Sequence, residues 1–82
     1  MSKAQRRVLV MMVKDGTWVA HNIIADDEGY HVLRFGLKPL RVRVQTFKAL
    51  LRARYIRRST GLRDATFYAI TSAGVAALRA PR

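Results

Sequence analysis

Hydrophobic spacing divides this chain into stretches of helical and of strand-like rhythm. From Ser2 to Gly16 the apolar Val8, Met11 and Met12 share one side, with Ala4 and Leu9 beside them, while Arg6, Arg7 and Lys14 are left to solvent. Ser2 with Gln5 three residues on has capping-box spacing, and Gly16 suits a helix end. A second helical stretch follows Pro39. Placed at about 100° per residue, Val44, Phe47, Leu50 and Leu51 gather on one side. Arg41, Gln45, Lys48 and Arg52 form a polar stripe on another. The pattern predicts an amphipathic helix over Val42–Arg54.

Tyr55-Ile56 then restarts an apolar run without helical period. Arg57-Arg58-Ser59 leads into Thr60-Gly61, a turn signal, and Ala65–Ile70 is rich in aromatic and β-branched residues. Two strands joined by a loop of roughly five residues containing Gly predict a hairpin. Thr71 or Ser72 is placed to cap a last helix through Arg79, whose Ala73, Gly74, Ala76 and Ala77 permit close approach by a neighbour.

Thr17–Phe35 admits two readings. Trp18–Ala25 and Tyr30–Phe35 flank Asp26-Asp27-Glu28-Gly29 as the arms of a hairpin, with Ala25 opposite Tyr30, Ile24 opposite His31 and His21 opposite Arg34. Alternatively a short helix spans His21 to Asp27 ahead of a strand. The β propensity of Val19, Ile23, Ile24, Val32 and Phe35 favours the hairpin. Gly36–Leu40 reads as a connector, because Pro39 has no N–H for a strand interior.

Charge adds a partner to this outline. Sixteen Lys and Arg against five acids give +11, and no acid lies between Gly29 and Arg63. A polyanion is the natural counterpart, nucleic acid ahead of an anionic membrane. An interfacial membrane helix needs a wide apolar face, which the core of an 82-residue domain already takes. Val8–Val13 is too short for a signal-peptide core or a span. Without cysteines there is no disulfide or thiolate site, in keeping with a cytoplasmic protein.

Catalytic chemistry has little to work with. Two histidines and five acids offer no triad spacing, and no glycine-rich phosphate loop is present. Asp26-Asp27-Glu28 suits a solvated turn better than a cation site, and the hairpin register sends His21 and His31 to opposite faces. No enzyme, metal or cofactor is expected. Trp18 and Tyr30 have the chemistry to stack on single-stranded bases, though core packing is the commoner use.

The run Thr46-Phe47-Lys48-Ala49-Leu50-Leu51 to Tyr55-Ile56, followed by Phe67-Tyr68-Ala69-Ile70-Thr71-Ser72-Ala73-Gly74-Val75-Ala76-Ala77-Leu78, resembles the back half of small winged-helix DNA-binding proteins of bacteria and phages. Tyr68, Ile70, Thr71, Gly74 and Leu78 match that family's closing segment. Arg54 departs from it, standing where the family has a helix-ending Gly, and the usual second helix has no clear counterpart. The resemblance implies a single α+β, winged helix-turn-helix-like domain over residues 1–82. It makes Gln45, Lys48 and Arg52 outward positions of a recognition helix, and Arg58 and Arg63 wing positions. The expectation is therefore sequence-preferring binding of double-stranded DNA by a small regulator, nucleoid-associated and able to pair as a homodimer. Arg41, Arg43, Gln45, Lys48 and Arg52 would read the DNA, and Arg57, Arg58 and Arg63 would hold its backbone. A winged helix docking on an acidic protein, and a structured-RNA binder, are the rival expectations, since a fold does not settle a function.

Overall fold

Capping chemistry works as its spacing suggests. In the computed structural model, which describes residues 1–24, 27–62 and 64–80, helix α1 (Lys3–Asp15) opens on Ser2, whose hydroxyl accepts the Gln5 N–H. It closes on Gly16 at φ 63°, a left-handed conformation that glycine adopts without a Cβ penalty. Three strands follow, β1 (Val19–His21), β2 (Tyr30–Arg34) and β3 (Leu37–Val42), then helix α2 (Val44–Arg52). Strands β4 (Ile56–Leu62) and β5 (Ala65–Ile70) and helix α3 (Ser72–Arg79) complete the chain. All pairings are antiparallel in one sheet of order β3-β2-β1-β5-β4. Among the described residues the fold is α+β, with three helices and a five-stranded antiparallel sheet.

Period-two alternation assigns the two faces of the sheet. Val19, Val32, Val42 and Ile56 pack with Val8, Leu9 and Met12 of α1 and with Phe47 and Leu50 of α2. Tyr30, Leu40, Tyr68 and Ile70 fill around them. The helices therefore lie against one face. The opposite face carries Ala20, His31, Arg41, Arg57, Phe67 and Ala69, as the strand registers require.

Several expectations change. The hairpin reading of Thr17–Phe35 holds for β1 and β2, but the register differs: His21 pairs with Tyr30 and Ala20 with His31. Strand β1 stops early because Asn22 turns left-handed, at φ 65°. The two imidazoles still fall on opposite faces. Gly36–Leu40 is no simple connector, since Leu37–Val42 forms a strand. Pro39 is tolerated there because β3 is a sheet edge with a register shift beside it. Thr60-Gly61 likewise lies within β4, where a shift between Arg58 and Gly61 absorbs an extra residue. The segment running into α2 is strand, where the family resemblance would have a helix.

The junction of α2 with α3 explains the closing motif. Helix α2 ends with Tyr55 N–H on the Leu50 carbonyl and Arg54 N–H on the Leu51 carbonyl, both at 3.0 Å, a Schellman arrangement. Arg54 takes the left-handed position itself, at φ 63°. Thr71 then joins the two helices. Its N–H donates to the Tyr55 carbonyl at 2.9 Å, and its hydroxyl donates to the Arg54 carbonyl at 2.6 Å. The same hydroxyl accepts the Gly74 N–H at 3.1 Å. A Cβ on Gly74 would overlap the Tyr55 carbonyl oxygen and stand 2.8 Å from Ile70 Cγ1, so the backbones meet only because that position is bare.

Candidate nucleic-acid interface

Phe47 seats α2. Its ring stacks on Tyr30 at 3.8 Å and meets the edge of Tyr68 at 4.7 Å. Tyr30 stacks in turn on His21 at 4.4 Å. Burial, with Tyr68 nearby, raises the Tyr30 phenol above its ordinary pKa. Tyr30 is thus part of the packed stack beneath α2 rather than a free platform. With Phe47 and Leu50 buried, Gln45, Lys48 and Arg52 are all exposed on the outer side of the helix.

The eight residues expected to touch DNA are only partly gathered. Gln45, Lys48 and Arg52 stand together on α2. Arg43 is the N-cap residue and makes no side-chain cap, so the helix starts at Val44 rather than Val42. Arg41 belongs to β3 instead, because strand pairing with His31 extends the sheet that far. Its guanidinium Nη1 lies 3.3 Å from Asp27 Oδ2 on the face away from α2. Strand alternation separates the wing arginines too. Arg58, opposite Tyr68, lies on the helix side, whereas Arg57, opposite Ala69, lies on the other. Arg63 is outside the described residues. Among the described residues Arg43, Lys48, Arg52, Arg57 and Arg58 have no ion-pair partner.

Three residues join this surface that spacing did not single out. Val44 and Leu51, placed on the core side by the helical wheel, are 47% and 39% exposed. Phe47 and Leu50 centre the buried face, and Val44 and Leu51 lie roughly 70–90° from that centre at about 100° per residue, between core and stripe. Only the width of the covering surface decides such a position. Arg7 of α1 is the third. It lines a cleft of about 170 Å³ between α1 and the start of α2, together with Val42, Arg43 and Thr46.

Asp27 organises the opposite face. Its Oδ1 accepts the Gly29 N–H at 2.8 Å, and its Oδ2 lies 3.4 Å from His31 Nε2. The Gly29 bond, the largest effect, holds its carboxyl below the usual 3.8; burial opposes it, and Arg41 and His31 add to the lowering. Among the described residues no group of three or more His, Cys, Asp or Glu gathers as a metal site, and no helix is long and apolar enough to cross a membrane. No family model, curated protein or solved structure matches this chain.

Proposed function

We propose that this protein binds double-stranded DNA, with α2 as the element that enters the major groove. The observation that carries this reading is the outer side of α2, where Gln45, Lys48 and Arg52 stand exposed on a helix seated by Phe47. Nine residues make a helix about 13 Å long, commensurate with a major groove about 12 Å wide. Gln and Arg pair with adenine and guanine edges, and the exposed methyls of Val44 and Leu51 suit thymine methyl groups. Arg43, Arg58 and Arg7 flank the helix as phosphate contacts, which supply affinity and salt dependence without sequence choice. In this reading β4–β5 is the wing of a winged helix, and the β2–β3 hairpin occupies the place of the helix that usually precedes the recognition helix.

Selection of bound duplexes from a random pool tests the assignment. Lys48→Ala or Arg52→Ala should change the enriched sequence, each good base contact being worth about 1–3 kcal/mol. Arg58→Ala should weaken all duplexes alike and lower the salt slope by about one. No enrichment, together with unchanged binding in all three variants, refutes it. An acidic protein partner would draw on the same stripe with Val44 and Leu51 as its apolar contacts; a lysate complex that survives nuclease treatment would favour that reading. A second copy of the chain, meeting through α3, would double the half-sites read.

A further inference from the structure

The sheet face turned away from the helices carries an arrangement that binding through α2 does not use. Leu33 donates its N–H to the Trp18 carbonyl at 2.9 Å, which continues the β1–β2 ladder one residue ahead of Val19. With Val19 opposite Tyr68, Trp18 stands opposite Ala69, and Ala69 is itself opposite Arg57. One row across this face therefore reads Leu33, Trp18, Ala69, Arg57, and it contains no acid. Neighbouring strands are about 4.8 Å apart, so Trp18 and Arg57 rise about 9–10 Å from one another with only a methyl between them. A planar ring held between an indole and a guanidinium needs two contacts of about 3.5–4 Å, or about 7–8 Å in all. By this strand spacing there is room for one flat aromatic ring between the two side chains.

The surroundings suit the same occupant. Phe67, on the next row, has its ring centroid 6.1 Å from that of Trp18, at an interplanar angle of 50°. Trp18 is 45% exposed although the neighbouring Val19 and Ala20 are wholly buried. Arg57 is exposed and, among the described residues, without an ion-pair partner. Asp27, an acid on this side, is engaged by Gly29, His31 and Arg41.

We propose that Trp18, Phe67 and Arg57 form a stacking site for a base of single-stranded nucleic acid, on the side of the sheet opposite α2. Trp18 and Phe67 supply faces on which a base stacks, and Arg57 closes the slot and meets the adjoining phosphate. A base within a duplex has both faces covered by its neighbours, so the slot selects unpaired strands.

Trp18 is the only tryptophan, so its fluorescence reports the slot directly. Titration of the whole chain with a short oligothymidylate at low salt should quench this emission. A duplex at matched phosphate concentration, and polyglutamate, should quench it much less. By anisotropy of a labelled oligothymidylate, Trp18→Ala should weaken binding about 5- to 150-fold, the range of a lost stacking contact. Trp18→Phe should recover most of that loss. Arg57→Ala, on an exposed side chain, should weaken binding too and carries the test if Trp18→Ala does not fold. Lys48→Ala and Arg52→Ala on α2 should leave the Trp18 signal unchanged, which separates this site from binding through α2. Absence of quenching, equal quenching by duplex or polyglutamate, or wild-type affinity in a folded Trp18→Ala protein would overturn the proposal.

Discussion

Arg54→Gly should make this protein more stable. Arg54 ends α2 at φ 63°, in the position that Gly16 fills at the end of α1 with the same φ. A left-handed conformation costs a residue with a Cβ roughly 1–2 kcal/mol. Glycine gives back about 0.5–1 kcal/mol of this through the backbone freedom it loses on folding. The net gain is about 0–1.5 kcal/mol, centred near 0.75 kcal/mol. In a domain of this size each kcal/mol moves Tm by about 4–8 °C, so the central expectation is a rise of about 3–6 °C. Calorimetry at neutral pH measures it. Removing one of sixteen basic residues also relieves self-repulsion, and Arg54→Ala controls for that, because it loses the charge and keeps the Cβ. Gly16→Ala is the mirror experiment: a Cβ there meets nothing within 4 Å, so any loss comes from the backbone alone. If Arg54→Ala gains as much as Arg54→Gly, or if Arg54→Gly lowers Tm, the left-handed end of α2 is not the source of the strain.

Other outcomes follow from the same contacts. Gly74→Ala should destabilise by about 1–3 kcal/mol, because its methyl meets the Tyr55 carbonyl, which is backbone and cannot swing aside; an unchanged urea midpoint would contradict this. Folding lowers the pKa of Asp27, so the stability this group contributes is present above its unfolded value near 3.8 and is lost as pH falls through the folded value. Asp27→Asn should flatten the pH dependence of the unfolding midpoint between about pH 5 and pH 2, and an unaltered slope would exclude the carboxyl as its source. Sedimentation with and without duplex DNA tests self-association. A shallow apolar surface on α3, lined by Ser72, Val75, Ala76 and Arg79, carries fewer cations than the one on α1 lined by Lys3, Arg6, Arg7 and Lys14. Val75→Glu should therefore abolish any dimer while Val10→Glu spares it.

Both ends of α1 and the start of α3 were legible in the chain because their chemistry is local. Ser2 and Thr71 cap through hydroxyls that reach an N–H three residues on, and Gly16 turns left-handed by virtue of its own missing side chain. The outward set Gln45, Lys48 and Arg52 was legible for a similar reason, since helical periodicity depends on near neighbours alone. Arg54 marked the limit of such rules: its residue type argued against the left-handed end that it takes, and Thr71, distant in the chain, bonds to the carbonyls of Arg54 and Tyr55 there.

Tertiary structure decided whatever depends on a distant partner. Pairing with β2 made a strand of Leu37–Val42, took Arg41 out of α2 and gave it to Asp27. The pairing of β4 with β5 sent Arg57 and Arg58 to opposite faces of the sheet. Val44 and Leu51 are open and Trp18 is half-open because the described elements that pack around them leave them uncovered, which no residue can signal about itself. The amino-acid sequence alone determined which short segments are helical, how α1 begins and ends, how α3 begins and that the surface is cationic, because those properties belong to single residues and their near neighbours. Which cations share a face, and which aromatic rings remain uncovered, emerged only when segments far apart in the chain packed together.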